Sequence, residues 1–384
     1  MTELLLIDNA EALGALVQHL RGCASVGIDT EFVRTDTFFP RLGLIQVSDG
    51  AGTWLIDPLA MGREDMEHFG ILLADENVLK VLHSCSEDLE VLEQATGQLP
   101  RPVFDTQVAA AFVGLGFSLG YQALVSELTG VQLAKHETRS DWMLRPLSAA
   151  QRVYAAEDVE HLATLHARLS GRLAALERLE WFGEDMTKLI DKAAVVAADE
   201  DYYQRIKGAW KLDRRQLAVL RALAAWRERR ARQTDRPRAR IVSDKELFAI
   251  AAHDIRSSSD WSRLSDNRAR EIRPRVIREY GAKLIEIVTE YANTQLESHP
   301  PRLPKPVPRQ YGGIMKSCKQ LVLTRARDLA LAPEMLVRRA DLESLVRNHW
   351  QGCSQLPPTL AQGWRRAVIG EDLLAHVETK GAQI

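Results

Sequence analysis

Five residues in the first 160 positions have the types and spacings of a hydrolytic metal site. Asp29 and Glu31 stand two apart in VGIDTEF, Asp88 lies in LHSCSEDLEVL, and Tyr154 and Asp158 stand four apart in YAAEDVEHL. Residues two apart on a strand share a face, and residues four apart on a helix do the same. Four carboxylates drawn together repel one another unless cations neutralise them. An oxygen-only set of this kind suits hard divalent ions such as Mg²⁺ or Mn²⁺. Two such ions are the equipment of phosphoryl hydrolysis, one activating water and the other stabilising the leaving oxygen. Tyr154 has a reference pKa of about 10, which makes it a poor base at neutral pH. Its expected role is to orient the attacking water.

Each signal is weak alone. An Asp-x-Glu pair is usually a surface pair, an acid like Asp88 usually sits at a helix N-terminus, and Tyr154 with Asp158 usually marks a half-buried helix face. Their joint order along the chain raises them. Lesser candidates surround the acids. Thr30 and Phe32 flank the first pair, and Phe38 and Phe39 follow it as possible base contacts. His83, at a strand end five residues before Asp88, could meet the nucleotide. Lys135, Arg139 and Arg145 could hold phosphates. Asp105, in FDTQ, is expected to be a structural cap rather than a fifth acid.

The elements that must position these groups are readable. Leu13, Leu16, Val17 and Leu20 have helical spacing, and ASVGIDTEF, RLGLIQVSD, TWLIDP and LKVLHS are short β-rich runs. PVFDTQVAAAFVG predicts a strand running into a helix, so an α/β domain around a mixed sheet is expected. Ser148 and Gln151 form a capping-box signature, predicting one helix from about Ala149 to Leu176 with Val153, Leu162, Leu165 and Leu169 as its buried stripe. The back half reads as helical throughout. Ser243 with Glu246 predicts another capped helix, and the prolines of SHPPRLPKPVPR, residues 298–309, predict a stiff connector. The expected division is 1–205, 206–294 and 295–384, with everything after residue 210 removable without disturbing the acidic site.

A chain of 384 residues is long enough for two or three domains. Its 46% hydrophobic and 27% charged fractions are those of a globular protein without a membrane span, and no signal peptide is expected at its start. The four cysteines are scattered, which argues against a zinc or disulfide framework and fits a reduced cytoplasm. The net charge of −2 hides an asymmetry: residues 1–200 hold 15 Lys+Arg against 31 Asp+Glu, and residues 201–384 hold 35 against 21. That is −16 followed by +14, an acidic front that needs cations and a basic back suited to a nucleic-acid grip.

The three acidic segments resemble the exonuclease motifs of ribonuclease D, within the DEDD superfamily, in its tyrosine variant. The segment KLDRRQLAVLRALAAWRERRARQTD resembles the HRDC domain, and the last unit resembles a second, diverged one. The resemblance implies a ribonuclease H-like α/β domain, a mixed sheet flanked by helices, followed by two small all-α HRDC-type domains. It implies a metal-dependent exoribonuclease working from RNA 3′ ends and releasing nucleoside 5′-monophosphates, with tRNA and other small stable RNAs as substrates. The family's ligands for two divalent cations carry over to Asp29, Glu31, Asp88 and Asp158, and its water-orienting tyrosine to Tyr154. Asp29 would bridge both ions, Glu31 and Asp158 would complete one, and Asp88 would act largely through water. A monomer is expected. Two other classes stay open on the residues: an RNA-binding protein without catalysis, and a DNA-proofreading type of exonuclease.

Overall fold

The computed structural model describes residues 5–133, 140–195, 198–261 and 272–381. The chain divides into two compact units, residues 1–33, 41–195 and 306–384 in the first and residues 34–40 and 196–305 in the second.

The first unit is built on a six-stranded sheet with order β1-β4-β3-β2-β5-β6. Its strands are β1 (Leu5–Ile7), β2 (Ser25–Val33), β3 (Arg41–Ser48), β4 (Thr53–Ile56), β5 (Leu79–Leu82) and β6 (Val103–Asp105). The β2–β3 and β3–β4 pairs are antiparallel and the other three are parallel, so the sheet is mixed. Helix α1 (Ala10–Leu20) starts at Asn9, whose side chain accepts from the Ala12 amide. With α2 (Arg63–Ala74) and α3 (Ser86–Thr96) it covers one face of the sheet. There Leu13, Leu16, Phe69 and Leu89 pack on Ile28, Ile45 and Val47.

The helices α4 (Thr106–Phe112), α5 (Tyr121–Thr129), α6 (Ala149–Glu160), α7 (Leu162–Ala175) and α8 (Leu179–Ala194) complete this part. The capping box of Ser148 and Gln151 opens α6 as the sequence predicts. The single helix predicted over 149–176 is instead two. The Tyr121 hydroxyl, from the start of α5, donates to the Glu157 carbonyl at 3.0 Å and receives the His161 amide at 3.3 Å. Those are the two groups that a continuous helix would join to each other. A side chain inserted in the ladder breaks it there. Val153 is 49% exposed and does not belong to the buried stripe, while Leu162, Leu165 and Leu169 do. Nine residues separate Val153 from Leu162, two and a half turns, which puts them on opposite sides.

The last helices of the chain share the core of this unit. Ile314, Leu336, Trp364 and Leu373 cluster with Phe112, Leu173 and Phe182. Trp364 stacks on Trp181 with centroids 4.8 Å apart, and Arg365 pairs with Asp185 through bonds of 2.6 and 2.7 Å. The expected removability of everything after residue 210 is therefore corrected: residues 306–381 cover apolar surface of the nuclease fold.

The second unit is helical. Helix α9 (Arg214–Gln233) starts at a capping box of Asp213 and Gln216. Short α10 (Arg238–Ile241) precedes α11 (Asp244–His253), which opens on the predicted Ser243–Glu246 capping box. Leu217, Leu220, Leu223, Leu247, Ile250 and Leu284 form its core. Residues 34–40 belong to it: Asp235 accepts from the Phe38 and Phe39 amides at 3.0 Å each. Arg232 and Arg238 lie over the Phe38 ring at 5.5 and 4.6 Å, so that ring is engaged by protein cations rather than presented to a base. Among the described residues no helix is long and apolar enough to cross a membrane.

Candidate active site

The site is assembled on β2. Alternation along the strand puts Asp29 and Glu31 on the same face, and the register with β3 shifts just after Glu31. Gly27, two residues earlier on that face, lets the α6–α7 junction come close. A Cβ there would lie 3.0 Å from the Leu162 Cβ and 3.4 Å from the Val159 carbonyl oxygen. This approach brings Asp158 down to the strand. Asp29, Glu31 and Asp158 each offer a ligand atom, all within 4.8 Å of one another. Tyr154, one helical turn before Asp158, shares a hydrogen bond with it. Its ring is backed by Trp142 at 6.1 Å. Asp88 reaches the edge of this cluster from the first turn of α3, where the Thr30 hydroxyl donates to its Oδ1 at 2.5 Å.

Residues 5–174 match the family model of 3′-5′ exonucleases, residues 216–288 the HRDC domain, and residues 309–373 the C-terminal HRDC domain of ribonuclease D. Ribonuclease D of Pseudomonas paraeruginosa is 41% identical over 92% of this chain and 92% of its own. Ribonuclease D of Escherichia coli K12 is 35% identical over 96% of each. This chain belongs to the ribonuclease D family. The crystal structure of Escherichia coli RNase D, described as an exoribonuclease involved in structured RNA processing, superposes with a TM-score of 0.89. That match has 33% identity and covers 98% of this chain and 99% of that one. Like its ribonuclease D relatives, the chain is a 3′-to-5′ exoribonuclease that acts on RNA, and its exonuclease family works with divalent metal.

The electrostatics of this carboxylate cluster fit a cation. Burial, then the charges of Asp158 and Asp88, push Glu31 up to about 8. Burial also lifts Asp88 to about 6, against the opposing hydrogen bond from Thr30. Asp29 is raised well above the carboxylate range by burial and by Asp88, Asp158 and Glu31 together. Acids so reluctant to ionise beside one another are a donor set that a divalent cation completes. Burial and the neighbouring Asp158 and Glu31 push the Tyr154 phenol further up, so it keeps its proton.

The lesser candidates divide. Thr30 is buried and its hydroxyl is given to Asp88, so that hydroxyl orients an acid. Phe32 is half-buried just past the register shift. The His83 Nδ1 hydrogen-bonds the Thr106 hydroxyl at 2.9 Å, its ring meets Tyr121 edge-on, and its Nε2 is buried without a partner. Burial pushes its pKa down. Arg145 is corrected. Its guanidinium binds both oxygens of Asp57 at 2.6 and 2.7 Å and the carbonyls of Gly43, Trp142 and Leu144 at 2.6 to 2.9 Å. It fastens the loop that carries Trp142 and has no capacity left for phosphate. Lys135 and Arg139 lie outside the described residues. Asp105 is a cap, accepting from the amides of Ser84, Cys85, Gln107 and Val108. Sequence reasoning missed Tyr121, whose hydroxyl breaks the helix within a residue of Asp158. No spacing rule signals a bond made to a helix backbone from a distant segment.

Proposed function

We propose that Asp29, Glu31, Asp88 and Asp158 hold two divalent cations, Mg²⁺ or Mn²⁺, and that RNA is hydrolysed there from its 3′ end to nucleoside 5′-monophosphates. The three-carboxylate cluster of Asp29, Glu31 and Asp158 carries this reading. Cations bound there would supply an activated water and charge compensation at the leaving oxygen. The protein's own part is to hold the acids converged against their repulsion. Gly27 admits the helix junction, Tyr121 sets its break, and Thr30 fixes Asp88. Tyr154, kept protonated and backed by Trp142, would aim water rather than take its proton.

The substrates we infer are precursors of tRNA and other small structured RNAs with single-stranded 3′ ends, which fits the description of the Escherichia coli relative. The division into an exonuclease part at 1–205 and HRDC parts at 206–294 and 295–384 accords with the matched segments. The HRDC parts would grip RNA through phosphates and shape. Part of the basic charge of residues 196–305 serves the fold: Arg227, Arg238 and Arg273 pair with Asp244, Glu228 and Glu246. We place the protein in the cytoplasm as a monomer. A 5′-labelled RNA with a single-stranded 3′ tail should shorten in single-nucleotide steps with Mg²⁺ or Mn²⁺, and Asp29→Ala should abolish this while the protein stays folded. Folded protein that leaves such an RNA intact in every divalent metal would sink the reading.

A further inference from the structure

Gln46 is fully buried in the middle of β3, and neither its amide nitrogen nor its amide oxygen has a hydrogen-bond partner. An interior amide left unpaired is destabilising, so the fold carries a penalty at this position. An apolar residue there would be free of it. The register places the side chain. Gln46 lies directly opposite Asp29 on β2 and opposite Leu55 on β4. Directly opposed residues in antiparallel strands share a face, with Cβ atoms roughly 4.5–5.5 Å apart. Leu44, two residues back on the same face, packs with Leu55 and Ala155 beneath α6. Gln46 therefore sits under α6, on the face that carries the carboxylates.

The polar neighbours available to it on that face are few. The Ser48 hydroxyl is given to the Gly52 carbonyl and receives the Gly50 amide. Asp57, on the neighbouring strand's end, is taken by Arg145. Leu44 and Leu55 offer nothing polar. The acceptor facing Gln46 across the strand pair is Asp29, beside which Glu31 and Asp158 converge.

We propose that Gln46 is a positioning residue for the metal site: its Nε2 donates to the Asp29 carboxylate that faces it when that carboxylate holds a cation. This rests on the reading of the carboxylate cluster as the metal site. Groups that hydrogen-bond a ligating carboxylate commonly change metal affinity by about 10–100-fold when removed.

The test is Mn²⁺ binding to the full-length protein, without RNA, measured by calorimetry beside metal-free thermal melts. Gln46→Met, close in shape and without the amide, should raise the metal-free Tm and weaken Mn²⁺ binding by about 10-fold or more. Gln46→Asn, an amide one methylene too short, should weaken Mn²⁺ binding similarly without raising Tm. It also serves if the first variant does not fold. Mn²⁺ affinity within twofold of the unaltered protein in either folded variant would overturn the proposal and leave Gln46 as an unpaired core amide. Failure of the unaltered protein to bind Mn²⁺, or binding indifferent to Asp29→Asn, would instead overturn the underlying reading of the site.

Discussion

Trp364, near the end of the chain, lies flat on Trp181 in α8, with ring planes 8° apart and centroids at 4.8 Å. Trp364 also meets Phe112 at 5.5 Å and is only 6% exposed. Beside it Arg365 and Asp185 form a two-bond ion pair with little exposure on either side. These contacts tie residues 306–381 to the helices behind the sheet. Truncating a buried tryptophan costs about 3–5 kcal/mol. Trp364→Ala should therefore lower the urea midpoint of the whole first unit, and a chain ending at residue 305 should lose its cooperative transition. A shortened chain that melts like the intact one would refute this coupling.

The acids give the metal-free protein an inverted pH response. Burial raises Glu31 to about 8 and Asp88 to about 6. The unfolded reference values are about 3.9–4.3. A carboxyl raised on folding stabilises the fold fully below its unfolded pKa, and that contribution is lost as pH rises through the folded pKa. The metal-free Tm should thus fall from about pH 4 to about pH 8, the window set by Glu31. Saturating Mg²⁺ should flatten the fall, because the cation favours the ionised acids. Glu31→Gln should flatten it without metal. A metal-free melt that is level or rising across this window would contradict the electrostatics described.

Local spacing made the strand face of Asp29 and Glu31, the helix face of Tyr154 and Asp158, and the capping boxes of Ser148 and Ser243 legible, because each depends on residues within one or two turns. What spacing cannot say is how a long side chain is spent. Arg145 has the form of a phosphate ligand, but its partner Asp57 is 88 residues away and only the fold brings them together. Phe38 looks like a base contact beside the first acidic pair. In the structure the segment 34–40 belongs with the helices after residue 196. The split of α6 from α7 escapes for the same reason. Its cause, the Tyr121 hydroxyl, lies 36 residues before the carbonyl it binds.

That hydroxyl gives a sharp test. In Tyr121→Phe the ring remains, but the Glu157 carbonyl and the His161 amide lose their partner. They can then stay unpaired, at about 1–3 kcal/mol, or bond to each other and straighten the helix. Either outcome disturbs the turn that carries Asp158. The variant should bind Mn²⁺ more weakly and turn over more slowly, with its exonuclease fold retained in the far-ultraviolet circular dichroism spectrum. Unchanged Mn²⁺ affinity would mean that the break in the helix is incidental to the position of Asp158.

Tyr154 distinguishes aiming water from deprotonating it. Burial, Asp158 and Glu31 all raise its phenol, so the phenolate is scarcer here than in a free tyrosine. A base of that kind would make the rate climb steadily with pH, and its removal would matter more as pH rises. A positioned hydroxyl contributes equally wherever it stays protonated. Tyr154→Phe should therefore lower kcat by about 10²-fold, the scale of one well-placed proton-bearing group. The factor should be the same from neutral to mildly alkaline pH, with Mn²⁺ affinity little changed because the carboxylates remain. A defect that deepens with pH would return Tyr154 to the role of base. A loss of Mn²⁺ binding would place it among the supports of Asp158 instead, through the hydrogen bond they share.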